Sequence, residues 1–216
     1  MKPPDVARAL AHLRRVRATS RLLEYEALCL SAESVVGQED GPFTASEEVA
    51  RASNLARGRS LAETAVGLWP GGSRAYIVLV EIETLAKQRD LAVEWLGKGV
   101  RRGEAQSSLP VMLTSMQLED GNVEGARETV ARYMQGYPKS VVNFLNARIE
   151  LAGGDSSRAI ELFQGARRDA DQSPKLVKQI EYWLGRCYRQ QGRSEQEVQA
   201  YRRAISIPPI DDPIAR

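Results

Sequence analysis

The 216-residue sequence predicts an all-α chain of stacked antiparallel helix pairs. Three observations point there. Ala, Leu, Arg, Glu and Gln dominate the composition, and these residues lose little rotamer freedom in a helix. No run of alternating Val, Ile and Thr marks a strand. Small and apolar residues recur at a fixed interval: Ala92, Ala126 and Ala159 stand 34 and 33 residues apart, and Leu79 and Leu113 stand 34 apart. Pro70 and Pro138 are separated by 68 residues, two such intervals. A unit this short cannot bury its own apolar face. Stacking neighbours completes the core.

Taken in order, Pro4–Arg17 and Arg21–Val35 read as two amphipathic helices. Gly37–Pro42 supplies breakers and reads as a loop. Thr44–Trp69 reads as one long helix, with Glu47 and Glu48 at its positive end and Gly58 as a candidate bend. Ala65 and Pro70 keep the repeat phase, so this first third reads as divergent copies of the unit. Gly71–Gly72–Ser73 is a connector: it follows a helix, and it lacks the Lys of a phosphate loop.

Ser73–Ala86 is apolar on most sides through Tyr76, Ile77, Leu79, Val80, Ile82 and Leu85. Such a helix is covered by several neighbours. Asp90–Arg101 pairs with it through Ala92, Val93, Trp95, Leu96 and Val100. Leu109–Glu119 with Val123–Met134, Val141–Leu151 with Ser156–Arg168, and Pro174–Gln190 with Ser194–Ile205 repeat the pair. Gly121 and Gly154 mark turns inside hairpins, each five residues before Ala126 or Ala159. The step from Gly154 to Gly192 is 38, and the polar stretch Asp169–Ser173 is the natural place for the extra residues.

The last unit carries the most specific pattern. Trp183, Leu184, Gly185, Tyr188, Gly192, Tyr201, Ala204 and Pro209 fall at the spacings of the tetratricopeptide repeat (TPR), which the segment resembles. One departure is Glu197, where a small residue is expected, with Ala200 three places on. The resemblance implies a right-handed superhelical solenoid of antiparallel helix pairs. Four clear repeats over residues 71–209 would follow one or two divergent N-terminal helix pairs over 1–70, in a single domain spanning 1–216. Residues 210–216 read as a tail or as the start of a further repeat, which suggests a piece of a longer repeat protein.

Little in the sequence points to catalysis. The formal charge of +2 gives no global attraction to nucleic acid or membrane. Cys29 and Cys187 form no metal spacing and no disulfide framework. His12 stands without a cysteine or carboxylate cluster, and Glu47–Glu48 and Asp211–Asp212 face no second acidic pair. No metalloprotease, P-loop, dinucleotide or nucleophile-elbow motif occurs. We therefore expect no catalytic residue, no cofactor and no metal. No apolar run is long enough to span a bilayer, and Met1–Asp5 lacks the apolar core of a secretory signal. The expectation is a cytoplasmic protein.

In the tetratricopeptide family the first helix of each repeat lines a concave groove that binds extended or helical peptides. Carried over position by position, the inward residues are Arg74, Ile77, Glu81 and Thr84. Next come Ser108, Val111, Ser115 and Leu118, then Val141, Phe144, Arg148 and Leu151. The last repeat gives Gln179, Tyr182, Arg186 and Arg189. The expected partner-binding groove is Ile77, Val111, Phe144, Arg148, Tyr182, Arg186 and Arg189. The expected partner is another protein or peptide with apolar anchors and an acidic flank. The Lys, Asn and Arg set with which some family members hold chaperone C-termini is not reproduced; Asn143 and Asn146 fall at other positions.

The resemblance thus implies a non-catalytic protein-interaction scaffold. An alternative is a nucleic-acid-binding helical repeat using Arg8, Arg14, Arg15, Arg17 and Arg21, although no aromatics interleave there to stack bases. Another is the recruiting module of a larger enzyme.

Overall fold

The structure, a computed structural model, describes residues 3–33, 44–104, 106–170 and 173–208, with residues 3–10 described by backbone alone. The expected loop Gly37–Pro42, Pro209 and the tail 210–216 lie outside the described residues. Ten helices and no strand occur among the described residues. They are α1 Pro3–Glu33, α2 Ala45–Leu68, α3 Ser73–Leu85, α4 Arg89–Arg102, α5 Leu109–Glu119, α6 Val123–Tyr133, α7 Lys139–Ala152, α8 Ser156–Asp169, α9 Pro174–Gln190 and α10 Ser194–Ser206. The fold is all-α and TPR-like, as the sequence predicts. No described helix is long and apolar enough to cross a membrane.

From α2 onward the boundaries agree with the expected ones to within two residues, and the N-terminus differs. The two helices expected at the N-terminus are a single 31-residue helix, α1. The gap left between them, residues 18–20, is helical. Thr19 donates its hydroxyl to the Arg15 carbonyl at 3.0 Å. The Ser20 hydroxyl lies 3.1 Å from Glu24 Oε1 and 3.2 Å from the Ala65 carbonyl of α2. Hydroxyls satisfied in this way do not compete for the backbone. Gly58, a candidate bend, lies inside the continuous α2. A Cβ there would sit 3.2 Å from Ile82 Cδ1 and 3.3 Å from the Ala27 carbonyl. Its role is close approach.

The chain forms two compact units, Met1–Leu109 and Pro110–Arg216. In the first, α1 packs on α2, α2 on α3, α3 on α4 and α1 on α3. Ala27, Leu55, Ala62, Val78, Leu79 and Ile82 form a core. Glu83 is fully buried between α2 and α3 and takes a bidentate pair from Arg59, with Nε to Oε1 at 2.6 Å and Nη2 to Oε2 at 2.7 Å. In the second unit α6 packs on α7, α7 on α8, α8 on α9 and α9 on α10. Leu145, Ile149, Phe163, Ile180 and Leu184 centre its core, with Ala126, Ala147 and Ala159 where helices cross closely. Glu181, 1% exposed, takes the guanidiniums of Arg167 from α8 and Arg203 from α10.

The hairpin turns repeat to the level of single hydrogen bonds. The amide of Gln88 donates to the Glu83 carbonyl, Asn122 to Gln117, Asp155 to Glu150 and Arg193 to Tyr188, all within 2.8–2.9 Å. Just before each donor stands a left-handed residue: Lys87 at φ 59°, Gly121 at 73°, Gly154 at 93° and Gly192 at 68°. These are helix ends closed by a left-handed cap. Two of the following helices are then capped by Asn122, which accepts from the Gly125 amide at 2.9 Å, and Asp155, which accepts from Arg158 at 2.8 Å.

Lys87 holds the place where the other three hairpins use glycine. The left-handed conformation costs a β-carbon roughly 1–2 kcal/mol, and glycine's extra freedom when unfolded offsets about 0.5–1 kcal/mol of that. Lys87→Gly is therefore expected to raise stability by about 0.5–1 kcal/mol. Urea unfolding followed by circular dichroism measures it, and a loss of stability would refute the shared turn geometry.

Candidate functional site

The expected groove residues of the second unit lie on α5, α7 and α9, the first helices of their hairpins. Phe144 and Arg148 stand one turn apart on α7, and Tyr182 and Arg186 one turn apart on α9. The structure brings Arg148 and Arg186 together around a residue that the sequence reading used only as a repeat marker, Trp183. The guanidinium carbons of both arginines lie 4.8 Å from the Trp183 ring centroid. Arg148 also lies 5.9 Å from the Phe144 ring and donates from Nη1 to Ser115 Oγ on α5 at 2.8 Å.

Electrostatics mark Arg148. Its Nε is buried and makes no hydrogen bond. Burial pushes its pKa down, Glu119 opposes that shift, and the Arg186 charge reinforces it. A half-buried guanidinium beside a second guanidinium gains from a carboxylate that pairs with its accessible nitrogens. The Trp183 face stabilises each cation by about 0.5–2 kcal/mol. It therefore holds two like charges close together without neutralising them.

The other expected residues take different places. Phe144 is 5% exposed and packs on Phe163 with ring centroids 5.8 Å apart, so it forms the floor under Arg148. Tyr182 is 48% exposed and stands edge-on to Trp183 at 5.7 Å. Val111 is half-buried against the core of this unit. Arg189 is not part of the cluster: its Nε reaches Glu197 Oε1 on α10 at 2.7 Å, and its guanidinium lies 5.6 Å from the Tyr201 ring. Ile77 belongs to the first unit. It lines a cavity of about 470 Å³ with Arg74, Glu81 and Ser108, three more of the inward positions.

Among the described residues no group of three His, Cys, Asp or Glu side chains could hold a metal ion. Cys29 and Cys187 are unpaired thiols. Burial pushes the Cys187 thiol up to about 11, with Arg186 opposing, so it stays protonated and inert near neutrality. Of the N-terminal arginines, Arg17 lies 3.5 Å from Glu104 and 5.7 Å from the Trp69 ring, facing protein groups of its own unit.

The family model for the tetratricopeptide repeat matches residues 144–212. The match covers about a third of the chain. It contains Phe144, Arg148, Tyr182, Trp183 and Arg186, so the cluster sits on the TPR segment. The TPR fold typically mediates protein–protein interaction and is generally non-catalytic.

No curated protein matches the chain. Solved structures do match, at identities that carry the fold alone. The Pseudomonas aeruginosa PilF structure is 13% identical with a TM-score of 0.59, covering 89% of this chain and 79% of that one. A chain of the APC/C hetero-tetramer Cut9–Hcn1 is 15% identical with a TM-score of 0.59, covering 91% of this chain; the match spans only 38% of the longer chain. MamA is 12% identical with a TM-score of 0.53, covering 77% of this chain and 95% of that one.

Proposed function

We propose that this protein is a non-catalytic scaffold that captures a peptide segment of a partner protein on the inward helices α5, α7 and α9. The segment carries an acidic residue for Arg148 and Arg186 and an apolar anchor beside Tyr182 and Trp183. The observation that carries this reading is the Arg148–Trp183–Arg186 cluster. Aromatic and Arg side chains are the residue types that dominate interface energies. The same face serves a free-standing adaptor or the recruiting segment of a larger protein. A cytoplasmic setting fits the two free cysteines.

The test is fluorescence anisotropy with a labelled, end-blocked peptide library of acidic–apolar segments. Arg186 is exposed, so Arg186→Glu is expected to lower the melting temperature by only a few degrees at most, through the loss of one cation–π contact. It should weaken the best peptide about tenfold or more, as expected for a lost charge-assisted contact. Equal binding by wild type and variant would remove this face from consideration.

A further inference from the structure

The line along which α1 joins its neighbours continues past them. Ser20, Glu24, Ala27 and Ser31 follow at intervals of four, three and four residues and are all buried where α1 meets α2 and α3. Carried towards the N-terminus at the same spacing, the line runs through Val16, Leu13, Ala9 and Val6. It is more apolar there than where it is buried. Yet α2 stops at Leu68. Its last meetings with α1 are the Ala65 carbonyl, 3.2 Å from the Ser20 hydroxyl, and the Trp69 ring, 5.7 Å from the Arg17 guanidinium. From Val16 back to Pro3, α1 runs on for about 20 Å. Residues 11–15 are exposed throughout, Leu13 by 47%.

Shape limits what can cover this half of the helix. α2 stands on the same side of α1 and is about 10 Å across. A bilayer laid along the Leu13–Val16 line would meet α2 first. An interfacial helix also carries aromatic residues, and residues 3–16 have none. The notch admits a rod: a helix in line with α2. Charge limits the choice further. Residues 3–16 hold Arg8, Arg14 and Arg15 against Asp5. Arg14 and Arg15 are exposed and stand about a quarter turn to either side of the line. Neighbouring acids are already matched. Glu104 meets Arg17 at 3.5 Å, Glu24 shares a cavity with Arg21, Glu81 faces Arg74, and Glu63 faces Arg59. Residues 65–72 are uncharged, and α4 ends on two more arginines, Arg101 and Arg102, the latter beside Gly71. The surplus is therefore positive. Two copies paired through this line would set arginine against arginine.

We propose that the N-terminal half of α1 docks an acidic amphipathic helix of a partner protein. That helix is about four turns long and lies in line with α2. Its apolar face covers Leu13 and Val16, and its flanking Asp or Glu residues meet Arg14 and Arg15, whose long stems fold over the join. The contact pairs helix with helix outside the first-helix groove, and it uses neither Arg148 nor Arg186. It stands whether or not that cluster captures a peptide.

The test uses the full chain and an end-blocked, fluorescein-labelled peptide, Leu-Ala-Ala-Leu-Glu-Ala-Glu repeated once, in an anisotropy titration at about 0.15 M salt. Binding is expected to fall about tenfold or more in Leu13→Gln/Val16→Gln, which keeps a good helix former at both positions. It should also fall in Arg14→Gln/Arg15→Gln and when the peptide's Glu residues become Lys, and stay unchanged in Arg186→Gln. Circular dichroism checks that each variant is folded. Unchanged binding in Leu13→Gln/Val16→Gln overturns the proposal, as does no binding at about 1 mM peptide. Equal binding of the Lys peptide overturns the charge match. Loss of binding in Arg186→Gln moves the peptide to the second unit and overturns this site while sparing the scaffold reading. The proposal also fails if Leu13→Gln/Val16→Gln abolishes a dimer of the free protein or its capture by anionic vesicles. Tighter binding of single-stranded RNA of about 20 nucleotides than of the peptide likewise overturns it.

Discussion

Arg59→Ala is expected to destabilise the first unit by about 3–5 kcal/mol, the cost of breaking a buried ion pair from one side. Glu83 has no exposed side-chain surface, and both its oxygens are held by the Arg59 guanidinium at 2.6 and 2.7 Å. Arg59 itself keeps 32% of its side chain exposed. Removing it leaves a buried carboxylate between α2 and α3 without its two charge-assisted bonds. The pair itself need not add net stability, because desolvating two ions opposes their attraction. Arg59→Met with Glu83→Leu is therefore expected to recover most of the loss, to within about 1–2 kcal/mol of wild type. Denaturant unfolding of the three variants decides it. If Arg59→Ala were as stable as wild type, Glu83 would have to reach water, contrary to its burial.

Phe163→Ala is expected to cost about 3–5 kcal/mol in the second unit, from the lost transfer energy plus the cavity left behind. Phe163 is fully buried on α8 and supports Phe144 from below at 5.8 Å. Phe144 in turn underlies Arg148 at 5.9 Å. The same substitution should therefore loosen the arginine cluster and weaken peptide capture, whereas Arg186→Glu should weaken capture with a much smaller effect on stability. A thermal melt and an anisotropy titration on both variants separate the two effects. Phe163→Ala with an unaltered melting temperature would mean that the core is not centred where the structure puts it.

The repeat was legible wherever it is enforced by backbone geometry. Gly121, Gly154 and Gly192 read as turns because a left-handed cap favours glycine, and helices such as α5 and α9 carry the expected boundaries. Lys87 escaped that reading because a lysine gives no turn signal, although 34 residues separate it from Gly121. The continuity of α1 was not legible at Thr19 and Ser20: Thr19 bonds the Arg15 carbonyl of its own helix, and Ser20 turns inward to the Ala65 carbonyl, a partner that only tertiary packing supplies. Buried charges were equally hidden. Glu83 and Glu181 look like solvated helix residues until Arg59, Arg167 and Arg203 are seen beside them from other helices.

The inward register placed Phe144, Arg148, Tyr182 and Arg186 on first helices, but register says nothing of pairing. Trp183 was visible as part of the repeat signature and not as the ring around which two arginines gather. Glu197 stood out as a departure from the repeat pattern. In the structure it is the carboxylate that holds Arg189. The signal was there in the sequence; its partner lay eight residues away across the turn.

A charge exchange at Arg186 tests the central claim most directly. Take the best acidic–apolar peptide for wild type and a copy in which its acidic residue is Arg, and titrate both against wild type and Arg186→Glu. Wild type should prefer the acidic peptide and the variant should prefer the basic one, a reversal of about tenfold in each direction. The same preference for the acidic peptide in both proteins would contradict the account.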